Sequence, residues 1–137
     1  MNQKQNMACL FDSLTPFLRN KEGEKPSSQS LREEICNYLE LNKDVMDDIT
    51  NSELTVFTDN MNLKDYVREM RKPSTWGSAV EIKTFCEIYK IKVVVIHLMN
   101  NRSIEFVPSR KGTIYSIPEH TIYLRYNGSH YTPWKIE

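Results

Sequence analysis

Apolar residues recur along this chain at two spacings, helical over the first two thirds and extended over the last third. Leu10, Leu14, Phe17 and Leu18 fall at helical spacing behind Cys9 and predict a short first helix. Pro16 removes a backbone hydrogen bond and pushes Thr15 out of helical geometry, so a kink or break is expected there. Residues 20–30 are polar and include Gly23 and Pro26, the composition of an exposed loop. Ser30 and Glu33 have the spacing of a capping box, which predicts that a second helix starts there. Leu31, Ile35, Tyr38, Leu39 and Leu41 supply its apolar face, with Cys36 beside it. Residues 43–49 predict one or two further turns. Residues 51–61 keep no clear period and read as a loop or a short extended piece around Leu54, Val56 and Phe57. Leu63, Tyr66, Val67 and Met70 predict a third helix, capped by Asn62, with Asp65 in its first turn and Lys72-Pro73 ending it. Ser78 and Glu81 form a second capping box, opening a helix with Val80, Ile82, Phe85, Cys86 and Tyr89 on its apolar face.

After Lys90 the period changes. Ile91, Val93, Val94, Val95 and Ile96 make the β-branched run expected of a strand buried on both faces. Asn100 and Asn101 supply a turn, and residues 103–107 and 113–117 are shorter strand candidates. Residues 121–126 alternate and predict a strand. Asn127-Gly128 then signals a tight type I′ hairpin, whose two central residues need positive φ. The returning strand covers residues 130–134 and is weakened by Pro133. Helices first and strands last imply an α+β class, a small, mostly antiparallel sheet flanked by helices.

Length and composition narrow the function classes. The 137 residues, 39% hydrophobic, predict one domain over residues 1–137. Lys+Arg and Asp+Glu balance at 18 each, which argues against a general phosphate-binding surface, so no nucleic-acid partner is expected. Cys9, Cys36 and Cys86 are odd in number and widely spaced, a pattern of free thiols in a reducing compartment. No stretch has the length or apolarity of a membrane span or signal peptide, so a cytoplasmic location, with the nucleus as the alternative, is expected without a membrane partner.

The chain lacks a glycine-rich phosphate loop, a zinc-spaced Cys/His set and a G-x-S-x-G elbow, so no metal or cofactor is expected. Asp47-Asp48 and Glu33-Glu34 read as solvated helix faces. His97, ending the buried strand, reads as a satisfied core residue, and His120 as loop surface. His130 differs, because it follows a turn at a strand start, where an imidazole can be held against a neighbouring element. A thiol becomes a useful nucleophile when a base takes its proton, which makes Cys9 and His130 the candidate pair. Trp76 reads as filling a core slot and Gly77 as the entry to the capped helix. Tyr126, Tyr131 and Trp134 surround His130 in sequence and could either line a substrate channel or cover the sheet.

Five blocks carry a resemblance. Cys9-Leu10-Phe11, residues 31–39, residues 66–70, residues 76–82 and residues 124–131 are similar, in this order, to the ovarian-tumour (OTU) family of cysteine proteases. The resemblance implies a papain-like fold and a deubiquitinase acting at the C-terminus of ubiquitin or a ubiquitin-like protein, with such conjugates as partners. It places Cys9 at the nucleophile position and His130 at that of the general base, with backbone amides at and just before Cys9 as oxyanion donors. Tyr126, Asn127, Tyr131 and Trp134 are the candidate contacts for the substrate tail, with the three aromatics equally able to serve as sheet cover. Family members usually carry Asp-Gly-Asn ahead of the cysteine, where this chain has Asn6, Met7 and Ala8. They commonly carry Asp or Asn two residues after the histidine, where this chain has Thr132. Thr132, Asn6 or neither would then orient the imidazole. The same departures define the alternative, an OTU-fold module that binds ubiquitin without cleaving it.

Overall fold

The computed structural model describes residues 9–18, 24–41, 63–108 and 120–136. Its helices are α1 (Cys9–Leu14), α2 (Ser28–Leu41), α3 (Leu63–Met70) and α4 (Ala79–Tyr89). Its strands are β1 (Ile91–His97), β2 (Arg102–Phe106), β3 (His120–Tyr126) and β4 (Tyr131–Ile136). The predictions for residues 43–49, 51–61 and 113–117, and for Asn62 and Asn6, lie outside the described residues.

The break at Pro16 takes the form of a 3₁₀ turn, Thr15–Phe17, directly after α1, closed by the Leu18 amide on the Thr15 carbonyl. α2 starts earlier than the Ser30 capping box predicts. Ser27 caps it instead, its hydroxyl accepting the Ser30 amide at 3.0 Å while its carbonyl takes the Leu31 amide. With its amide already satisfied by Ser27, Ser30 becomes an ordinary first-turn residue. Leu31, Ile35 and Leu39 are buried as their spacing predicts, but Leu41 at the helix end is 83% exposed. Cys36 lies fully in the core, and burial pushes its thiol up to about 12. α4 opens on the predicted box, with the Ser78 amide donating to the Glu81 carboxylate at 2.7 Å.

The sheet order is β2-β1-β3-β4. β1–β2 and β3–β4 are antiparallel, while the central pair β1–β3 is parallel. β2 runs back along β1, so Phe106 at its end lies opposite Val93 near the start of β1, at the same end of the sheet where His120 begins β3 opposite Ile91. Side chains alternate across the sheet, so Val93 and Val95 share a face with their partners Ile122 and Leu124. That face meets Leu10, Phe11, Leu14, Ile35 and Phe85 in a single core. Val94, on the opposite face, is buried too, so β1 is covered on two sides as its unbroken apolar run predicts. β4 is an edge strand, which is where Pro133, lacking an amide hydrogen, can be accommodated. Among the described residues no helix is long and apolar enough to cross a membrane.

Candidate active site

Three contacts fix α1. The Arg32 guanidinium lies 4.4 Å from the centroid of the Phe11 ring and donates to the Met70 carbonyl at 2.8 Å, joining α1, α2 and α3. The Ser28 hydroxyl donates to the Asp12 carboxylate. Gly77 presses on α1 so closely that a Cβ there would sit 2.7 Å from Leu10 Cδ2 and 3.1 Å from Phe11 Cε2. Gly77 is therefore required by proximity, and its place just ahead of the Ser78 cap puts the α4 entry against α1.

Cys9 begins α1 and is 9% exposed. The Tyr131 amide, the first of β4, donates to its sulfur at 3.5 Å. The residue next to His130 thus touches the Cys9 thiol, and the two ends of the sequence close on one another.

The loop that presents His130 is longer than Asn127-Gly128 predicts. Tyr126 pairs with Tyr131, leaving four residues between the strands. Of these only Gly128 has positive φ, at 99°, so the two-residue type I′ turn does not form. The Asn127 side-chain oxygen accepts the Ser129 and His130 amides at 2.9 and 2.8 Å, and the Asn127 amide donates to the His130 carbonyl. These bonds rigidify the backbone on which the imidazole stands, and they occupy the Asn127 side-chain oxygen within the loop.

Tyr126 and Tyr131 stack with ring centroids 4.5 Å apart, and Tyr126 donates to the Gly128 carbonyl at 3.0 Å. Burial, reinforced by Tyr126, Cys9 and Glu81, keeps the Tyr131 phenol protonated well above the ordinary phenol range. Trp134 joins a different set of side chains, edge-on to Tyr123 with Lys135 and Arg125 over its ring. Thr132 pairs with Arg125 in the β3–β4 ladder and is exposed.

Two imidazoles depart from expectation. His97 Nδ1 is buried without a hydrogen-bond partner among the described residues, its ring edge-on to Tyr126, so it is not the satisfied core histidine its position suggests. His120 is exposed as expected, but as the first residue of β3 and not in a loop. His130 Nδ1 is also buried without a partner among the described residues. Thr132 therefore does not hold it. The ring meets Trp76 instead, at 6.1 Å between centroids and 15° between planes.

The sequence matches the family model for OTU-like cysteine proteases over residues 8–131. This chain belongs to that family. The OTU-like chain is 29% identical over 104 residues to a protein of Invertebrate iridescent virus 3 that carries the provisional name ubiquitin thioesterase. The match covers 74% of this chain and 12% of that relative, so the OTU-like chain spans about an eighth of its length. Among solved structures it is similar to the viral OTU protease of Taggert virus, with a TM-score of 0.65 at 21% identity, covering 100% of this chain and 78% of that one. An OTU deubiquitinase of Wolbachia pipientis, solved bound to ubiquitin, gives 0.61 at 22% identity, covering 93% and 89%. These likenesses establish the α+β OTU fold.

Sequence reasoning missed Trp76, which is 42% exposed and not in a core slot. The signal was present: Trp76 sits in a Pro-Ser-Thr-Trp-Gly turn, outside every helical apolar face.

Beneath the site, Glu81 is completely buried and accepts from Tyr66 at 2.7 Å and from the Ser78 hydroxyl at 2.9 Å. Burial raises its carboxyl above the ordinary value of 4.5, with the hydrogen bonds opposing. A carboxyl raised on folding contributes most stability below its unfolded pKa and loses that contribution as pH rises through the folded value. Glu81→Gln keeps an acceptor for Ser78 and removes the ionisation. The melting temperature of wild type minus that of Glu81→Gln is therefore expected to fall as pH rises from 4.5 toward neutrality. Thermal melts across that range measure it, and a difference that grows with pH would show the carboxylate is stabilising.

Proposed function

We propose that this chain is a thiol deubiquitinase in which Cys9 is the nucleophile and His130 the general base. The observation that carries the reading is the Tyr131 amide on Cys9 Sγ, which sets the peptide unit after His130 against the thiol. An N–H aimed at sulfur favours the thiolate, and an adjacent imidazole can take the proton. The thiolate attacks the carbonyl carbon of the isopeptide bond at the ubiquitin C-terminus. The tetrahedral oxyanion collapses, the C–N bond breaks, and imidazolium gives its proton to the departing lysine amine. His130 then takes a proton from water, whose oxygen attacks the thioester, releasing the carboxylate and the Cys9 thiol. The Cys9 amide, at the first described residue of α1, would donate to the oxyanion. Ubiquitin as partner is supported by the ubiquitin-bound Wolbachia neighbour and by the name of the iridescent-virus relative.

A ubiquitin carrying a C-terminal electrophile is expected to form one covalent adduct at Cys9, absent in Cys9→Ala, with peptide mapping by mass spectrometry locating it. A folded protein that no ubiquitin-like electrophile labels would overturn the reading. The His130 ring nitrogen without a partner among the described residues favours a second reading, a module that binds ubiquitin without cleaving it. It predicts titratable ubiquitin binding that persists in Cys9→Ala, together with no turnover by wild type.

A further inference from the structure

We infer that Trp76 is a positioning residue for His130, holding the imidazole by its face where no side chain among the described residues holds it at Nδ1. This rests on the proposed Cys9–His130 pair. The near-parallel rings, 15° apart at 6.1 Å, lie within the range of offset aromatic stacks. Trp76 is itself held on two sides. Ahead of it, the Thr75 hydroxyl donates to the Glu69 carbonyl at 2.7 Å and the Thr75 amide to Lys72. Behind it, Gly77 is wedged on Leu10 and Phe11, and the Ser78 amide is bound by Glu81. One short segment therefore sets both the helix that carries Cys9 and the plane against which His130 rests. An indole face also favours the imidazolium formed when His130 takes the thiol proton. A tryptophan serving only as core filling would be buried, and Trp76 is 42% exposed.

The rate of Cys9 alkylation by iodoacetamide near neutral pH, followed by mass spectrometry on the full chain, tests this without any ubiquitin. Cys36 and Cys86, fully buried with thiols pushed up to about 12, serve as slow internal references. Trp76→Ala and Trp76→Leu are expected to slow alkylation about three- to tenfold, and Trp76→Phe to stay within about twofold of wild type. In a His130→Ala background, Trp76→Ala is expected to add no further slowing. Unchanged rates in Trp76→Ala and Trp76→Leu, slowing that persists in the His130→Ala background, or failure of Phe to restore the rate would each overturn the inference while leaving the pair intact. Equal rates in wild type and His130→Ala would remove the pair, and the inference with it.

Discussion

His130→Ala is expected to lower hydrolysis of a ubiquitin C-terminal amide by about 10²- to 10⁴-fold, the usual loss on removing a general base. Cys9→Ala is expected to remove it to background. Thr132→Ala, two residues from His130, is expected to stay within about twofold of wild type. The contrast has a geometric cause. Thr132 is exposed on β4 opposite Arg125, and the buried Nδ1 of His130 has no hydrogen-bond partner among the described residues. Removing a hydroxyl that does not bind Nδ1 is expected to leave the tautomer and direction of the imidazole unchanged. A fluorogenic ubiquitin substrate, read as kcat and KM separately, distinguishes the outcomes. A loss in Thr132→Ala comparable to that in His130→Ala would mean that the hydroxyl reaches the ring during turnover. An undiminished rate in His130→Ala would sink the general-base assignment itself.

What could be read from the sequence had local causes. The Ser78–Glu81 box, the β-branched run of β1 and the interruption at Pro16 each follow from residues within one turn or one strand, and each appears where its pattern places it. The α2 start was missed by three residues because Ser27 and Ser30 are both capping residue types. Only the fold shows that the Ser27 hydroxyl takes the amide. The parallel β1–β3 pairing was hidden because β3 pairs with β1 and not with its neighbour in sequence, β2, a choice the strands' own patterns do not carry. At the site, Asn127 behaves as a side-chain acceptor in a four-residue loop, a choice the dipeptide Asn-Gly does not specify. The Trp76–His130 stack joins residues from the α4 entry and the β3–β4 loop, and only the packing of α1 between these regions brings them together.

Gly77→Ala is expected to be the most damaging small substitution outside the proposed Cys9–His130 pair. Its Cβ would lie 2.7 Å from Leu10 Cδ2, 3.1 Å from Phe11 Cε2 and 3.2 Å from Leu10 Cβ. Rotating the Leu10 side chain could clear the first contact but not the third, and neither Leu10 nor Phe11 has free space, at 1% and 0% exposed. Overpacking of this kind costs about 1–3 kcal/mol, or a melting temperature lower by about 3–12 °C in a chain of this size. The relief available is for α1 to move away from the α4 entry. α1 carries Cys9, so that movement would lengthen the contact between Cys9 Sγ and the Tyr131 amide and withdraw the thiol from His130. Turnover of the fluorogenic substrate, measured well below the lowered melting temperature, should therefore fall by more than the unfolded fraction explains. If turnover instead tracks the folded fraction alone, Gly77 serves stability, and α1 tolerates the extra methyl without moving Cys9.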